Sequence, residues 1–353
     1  MRKGKRLIAW IMAVVMLFTI CLFGGNGTAE AAATTPVAKH GRLSVKGADL
    51  VDSKGNKFQL RGISTHGINW DVGSPYVNKK AFKTLRDDWG VNAIRLAMYT
   101  EEYNGYCSGG SQAKLRKQVD KGVGYATDLG MYAIIDWHIL SDGNPNKNKS
   151  QAKKFFTTMA KKYKNNKNVI YEICNEPNGC SWKEIKSYAT DIIKTIRKYD
   201  KKAVIIVGTP TWSQLGTDGT SNEVADSPIK GYKNIMYSLH FYASEWAHNE
   251  YLPAKIAYAR KKKLPIIVSE FGLSPASGDG AINKASADKW MKLLNKYNIS
   301  YFCWSLSNKN ESASLLKPST KKTSGWKSGD LSTAGKYIKK KYLARKKALG
   351  KKA

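Results

Sequence analysis

Short runs rich in Val, Ile and Leu recur along the chain, at 58–65, 91–98, 131–138, 168–175, 203–208, 234–240, 265–271 and 299–304. Each is bounded by polar or turn-forming residues and has the length of a buried strand. Between them lie Lys-rich stretches such as 112–129, 150–164, 182–199 and 284–297, with apolar residues at helical spacing. Eight strand–helix alternations over roughly 310 residues predict an α/β fold, a single-domain (β/α)8 TIM barrel. An open doubly wound sheet is the alternative, but no G-x-G-x-x-G or P-loop follows any run. No motif recurs at a fixed longer period, which argues against a solenoid or propeller.

The N-terminus breaks this rhythm. Arg2, Lys3, Lys5 and Arg6 precede an apolar run from Leu7 to Phe23, followed by small residues that include Ala29 and Ala31. This predicts a secretory signal over 1–31, with a membrane tether through an uncleaved N-terminus as the alternative. A tail over 32–40, a barrel domain over 41–345 and a basic tail over 346–353 complete the expected organisation. Secretion places Cys107, Cys174, Cys180 and Cys303 in an oxidising compartment, where three pairings of the four are open. Cys174 and Cys303 fall in apolar runs and the other two in loop-like stretches, so the expected bridge is Cys107–Cys180.

Composition adds two facts. With 42% hydrophobic residues and 11% aromatics the chain can build a large core, which excludes disorder. The 59 Lys and Arg against 27 Asp and Glu give a net charge of +32, and loss of four cations and Glu30 with the signal leaves +29. Residues 336–353 carry nine Lys or Arg and no acid. A solvated surface explains such charge, and so does attraction to anionic wall or envelope polymers. Nucleic acid is not an expected partner, since no recognition motif accompanies the charge. A monomer is expected.

The chemistry gathers where the apolar runs end. In a TIM barrel that end is the catalytic face. The ends read Thr65-His66, Arg95 to Tyr99, Trp137-His138, Asn175-Glu176-Pro177, His240-Phe241-Tyr242, Ser269-Glu270-Phe271 and Trp304. Glu176 and Glu270 close the fourth and seventh runs, and a buried carboxylate is costly unless it is paired or functional. Two of them across one barrel mouth suit glycoside hydrolysis, which needs a protonated acid at the leaving oxygen and a carboxylate at the anomeric carbon.

Six runs in order, IRLAMY (94–99), IIDWHIL (134–140), VIYEICNEPNG (169–179), SLHFYA (238–243), IIVSEFG (266–272) and WSLSNKNES (304–312), resemble bacterial endoglucanases of glycoside hydrolase family 5. The resemblance covers residues 40 to 345. It implies a secreted endo-β-1,4-glucanase that cleaves cellulose or other β-glucan with retention of configuration. Glu176 would be the acid/base and Glu270 the nucleophile. Asn175 would hold the sugar 2-hydroxyl, Arg95 and Tyr242 would keep Glu270 ionised and oriented, and His240 would lie beside the carboxylate pair. The charge of Glu270 is then expected to raise the pKa of Glu176. Trp304 would be the platform under the reacting sugar and His138 a contact next to the scissile bond. His66, Trp70, Tyr99, Lys309 and Glu311 would line the non-reducing side and Trp212 the leaving-group side. Phe271, where Trp is frequent, and the Glu245-Trp246 pair depart from the family pattern.

No cofactor or metal is expected. The five histidines, at 40, 66, 138, 240 and 248, show no H-x-H or H-E-x-x-H spacing. Asp136 is read as a packing neighbour of His138, and Ser269 lacks a nucleophile elbow. The competing readings are a mannanase or mixed-linkage glucanase on the same scaffold, and a non-catalytic polysaccharide- or envelope-binding protein.

Overall fold

The computed structural model describes residues 35–350; the expected signal, with Cys21, lies outside them. A hairpin of β1 (Ser44–Lys46) and β2 (Asp49–Val51) precedes eight barrel strands. These are β3 (Arg61–Thr65), β4 (Ala93–Tyr99), β5 (Tyr132–His138), β6 (Val169–Glu172), β7 (Ile205–Val207), β8 (Ile235–Tyr242), β9 (Ile266–Gly272) and β10 (Tyr301–Leu306). They close into one barrel of parallel strands in sequence order, β10 pairing with β3. Every apolar run has become a barrel strand.

The helices expected at 112–129, 150–164, 182–199 and 284–297 are observed at Gln112–Asp128, Lys149–Tyr163, Trp182–Arg197 and Lys284–Tyr297. Their starts are written in the sequence. Ser181 accepts a hydrogen bond from the Glu184 amide while the Glu184 carboxylate accepts from the Ser181 amide, a reciprocal cap that fixes where Trp182–Arg197 begins. Its buried face, Ile185, Tyr188, Ala189, Ile192 and Ile196, recurs every three or four residues and packs on the barrel wall. Two boundary expectations shift. Part of the expected 32–40 tail is a short helix, Pro36–His40, and the last helix, Thr333–Gly350, runs through most of the expected basic tail.

Inside the barrel, polarity rises towards the carboxyl ends of the strands. Tyr132, Ile134, Ile170, Ile206, Met236, Ile267 and Phe302 fill the lower part, and Leu43, Leu50 and Leu60 close the amino end. Gly62 on β3 makes this layer possible, because a Cβ there would lie 1.9 Å from Phe302 Cδ1. One turn higher the inward positions become Ser64, Arg95, Asp136, Glu172, Ser238 and Ser269, all buried. They form the polar floor of the mouth.

The expected Cys107–Cys180 bridge is corrected: Cys107, Cys174, Cys180 and Cys303 are all free thiols. Cys174 and Cys303 are core residues, while Cys107 and Cys180 pack half-buried against the same core, each behaving as a small hydrophobe. Burial pushes the Cys180 thiol up to about 11 and the Cys107 thiol up to about 12, so little thiolate is present at neutral pH.

Candidate active site

A cleft of about 580 Å³ opens at the carboxyl end of the barrel. Of the residues singled out in the sequence, His66, Trp70, Tyr99, His138, Glu176, Trp212, His240, Tyr242, Glu270, Trp304, Lys309 and Glu311 line it. Arg95 and Asn175 lie just beneath, 0% and 1% exposed, and reach the site through hydrogen bonds.

A departure from strand alternation aims Glu270. In regular alternation Ile267 and Ser269 point inward and Glu270 does not. The pairing of β9 shifts by one residue, Ser238 opposite Ile267 but His240 opposite Glu270. This extra residue turns both Ser269 and Glu270 towards the mouth. There the Tyr242 hydroxyl donates to Glu270 Oε1 at 2.7 Å and Arg95 Nη1 to Oε2 at 3.0 Å. Carboxylate oxygens of Glu176 and Glu270 and a ring nitrogen of His240 all lie within 4.8 Å of one another.

Arg95 is the hub of the floor. Nε donates to Glu172 Oε2 at 2.7 Å, Nη2 to Asn175 Oδ1 at 2.6 Å, and Nη2 also pairs with Asp136 Oδ2 at 3.0 Å. Burial opposes its charge, but Asp136, Glu172 and Glu270 outweigh that and raise its pKa. Because Arg95 claims Asn175 Oδ1, the amide must present Nδ2 to His138 Nε2, 3.2 Å away, and His138 Nδ1 faces Asp136 Oδ2 at 2.6 Å. Asp136 is thus more than the packing neighbour expected. Residues two apart on a strand share a face, so both side chains enter the mouth.

Glu176 sits in a different setting from Glu270. Its Oε1 is 2.8 Å from His240 Nδ1, its side chain is 13% exposed, and its pKa is pushed up to about 8. Burial is the largest cause, with Asp136 and Glu172 adding to it against the pull of Arg95. The charge of Glu270, expected to raise this pKa, is not among its main causes. Burial likewise lowers His240 to about 4 and His138 to about 3, so both rings are neutral at ordinary pH.

An aromatic wall flanks the carboxylates. Trp304 stacks on His138 with centroids 5.3 Å apart and planes 16° apart, Tyr99 lies 4.2 Å from His138, and Trp70 lies 4.5 Å from Tyr99. At its edge Lys309 Nζ pairs with Glu311 Oε2 at 2.5 Å. Across the cleft Trp212, 44% exposed, stands on a short turn, Pro210–Ser213, in which Thr211, Trp212 and Ser213 are left-handed. Flat apolar faces beside buried polar groups match the two-sided character of a pyranose ring. Glu176, His240 and Glu270 could together offer a cation three atoms. All three already have protein partners, in Ser269, Tyr242, Arg95 and one another, and they read as a hydrogen-bonded unit.

Residues 51–310 match the sequence profile of the family described as Cellulase (glycosyl hydrolase family 5). The chain belongs to glycoside hydrolase family 5. It is 47% identical over 339 residues, 95% of its length, to an endoglucanase of Clostridium saccharobutylicum, and spans 72% of that protein. It is 45% identical over 317 residues, 89% of its length, to endoglucanase 5 of Pectobacterium carotovorum, and spans 60% of that relative. The solved catalytic domain of Thermobifida fusca endoglucanase Cel5A in complex with cellotetraose superposes with a TM-score of 0.82 at 36% identity, covering 88% of this chain and 99% of that one.

Within this family-5 barrel the two departures resolve differently. Phe271 is buried and stacks on Phe241 with centroids 5.2 Å apart, so it belongs to the packing behind the strand. Glu245 lines the cleft and Trp246 beside it is 68% exposed. Residue-level reading of the sequence missed Glu172 and Ser269 as members of the floor, and Glu102, Gln214 and His248 as cleft residues. Strand parity points to Glu172, two residues beyond inward Ile170 on β6. Parity also points to Ser269, two residues beyond Ile267 on β9. His248 sits in the first turn of the helix Trp246–Lys261, and Glu102 and Gln214 come from loops, where no periodicity marks them.

Proposed function

We propose that this chain is a secreted endo-β-1,4-glucanase that hydrolyses internal bonds of cellulose and related β-glucans by a retaining double displacement. The observation that carries the proposal is the carboxylate pair, oxygens within 4.8 Å and environments that differ. Retaining enzymes hold their carboxyl groups about 5 to 5.5 Å apart, whereas inverting ones leave room for a water between them.

In this reading an oxygen of Glu270 attacks the anomeric carbon as the glycosidic C–O bond breaks, and the proton of Glu176 passes to the departing oxygen. Water then surrenders a proton to Glu176 and attacks the same carbon, releasing Glu270. Arg95 and Tyr242 aim the attacking oxygen, and Asn175, oriented by Arg95, is placed for the 2-hydroxyl. Support for a glucan substrate comes from the cellotetraose bound to the T. fusca relative. Export through the 1–31 signal brings the enzyme to polymeric substrate, and its net positive charge lets it adsorb on anionic wall polymers.

Initial rates on soluble cellulose, lichenan and mannan, with product anomers followed by proton NMR in the first minutes, test the proposal. A β-anomer burst and preference for β-1,4-glucan are expected. Initial α-anomer would end the retaining reading, and exclusive mannan cleavage the substrate reading.

A further inference from the structure

The hydrogen bonds beneath Glu176 determine where the protons sit. His240 Nε2 is 2.9 Å from Ser269 Oγ, and Ser269 Oγ is also 2.5 Å from Glu172 Oε1 and 2.5 Å from Ser238 Oγ. A hydroxyl has one proton and two lone pairs. The Glu172 carboxylate, held through Oε2 by Arg95, can only accept, so the Ser269 proton points to Glu172. Both Ser269 lone pairs are then left for the Ser238 hydroxyl and for a proton on His240 Nε2. A neutral imidazole protonated on Nε2 has a bare lone pair on Nδ1, the atom that faces Glu176 Oε1 at 2.8 Å.

We infer that Glu172 and Ser269 are positioning residues for the acid step: they lock His240 in its Nε2–H tautomer, so that Nδ1 accepts a hydrogen bond only while Glu176 holds its proton. The inference rests on the reading of Glu176 as acid/base. An ionised Glu176 would turn an oxygen lone pair onto the Nδ1 lone pair. That repulsion acts with burial, Asp136 and Glu172, and against Arg95, in keeping the acid protonated at rest. Glu270, whose charge favours protonating His240, is the other group facing this ring from β9, and Arg95 opposes it. After the proton has left, the same repulsion makes Glu176 a better base towards water. His138, fixed by Asn175 and Asp136, is expected in the opposite tautomer.

Histidine-15N NMR of the wild-type enzyme near neutral pH, with His240→Gln for assignment, reads the tautomer directly. Protonated Nε2 and bare Nδ1 on His240 are expected, and an Nδ1–H tautomer overturns the inference whatever the variants do. Kinetically, Ser269→Ala should lower kcat/KM for cellotetraose roughly tenfold or more. It should move the alkaline limb of the kcat/KM profile down by about one pH unit. Dinitrophenyl cellobioside, whose leaving group needs no proton, should lose about twofold at most. Ser269→Thr keeps the hydroxyl and should restore both readouts. Equal losses on the two substrates with an unmoved limb would refute the relay. Glu176→Ala is the control: without a leaving-group split there, the acid/base reading itself fails, whereas a split there but not in Ser269→Ala sinks only the relay.

Discussion

Glu176 and Glu270 are one side-chain type in two settings, and the difference lies in what each oxygen meets. Glu270 receives a phenol and a guanidinium; Glu176 faces a neutral ring nitrogen in a site where burial raises its pKa to about 8. Its acid form is therefore present below about 8 and lost above it, so kcat/KM should fall as pH rises through that value. Stability carries the same signature. A carboxyl whose folded pKa is raised costs stability from the ordinary carboxylate range upward, fully once pH passes the folded value. Glu176→Gln removes the ionisable group, so relative to wild type its Tm should be higher at pH near 9 and little changed near pH 4. A Tm difference that is the same at both pH values would show that Glu176 is not the group whose ionisation is resisted.

At the scale of elements, the eight strands were legible because each is a continuous apolar run buried on both sides, and four helices because their stripes are regular. The helix Trp246–Lys261 was not, and its buried face shows why: it includes His248 and Lys255, and Pro253 interrupts the run. The Lys255 ammonium is paired with backbone carbonyls of Gln214 and Asp218, a satisfaction that hydropathy cannot foresee. The shift on β9 escaped for a related reason. Alternation assigns Ser269 inward and is silent about an extra residue, although the turn of Glu270 towards the mouth depends on it. Gly62 was legible only as a residue inside a strand. In the fold it is the space that Phe302 occupies, and Gly62→Ala should destabilise the barrel by about 1–3 kcal/mol through overpacking. Phe302→Leu in the same chain should return part of the loss in thermal unfolding. An additive double variant would mean that the two side chains do not compete for that space.

For the whole molecule, the charge is distributed away from the chemistry. The cleft holds Glu102, Glu176, Glu245, Glu270 and Glu311 against Lys309, whereas Arg42, Lys164, Lys167, Lys201 and Lys202, against Asp200, surround a cleft of about 640 Å³ at the amino end of the strands. Adsorption on anionic polymers through such surfaces would leave the catalytic mouth facing outward. The C-terminal helix adds a second cationic face and is also part of the barrel's packing: Tyr342 is buried and donates to Gly62 O at 2.8 Å, and Arg345 donates to Gln59 Oε1 at 2.9 Å. Lys336, Lys340, Lys346 and Lys347 are exposed on the same helix and can be exchanged without touching that seam. Changing all four to Gln should leave kcat/KM on soluble glucan unaltered and weaken retention on polygalacturonate at low salt. Wild-type retention should itself collapse as ionic strength rises and the screening length falls from about 30 Å at 0.01 M to about 3 Å at 1 M. Retention that is indifferent to both salt and the four substitutions would assign the basic surface to solubility alone.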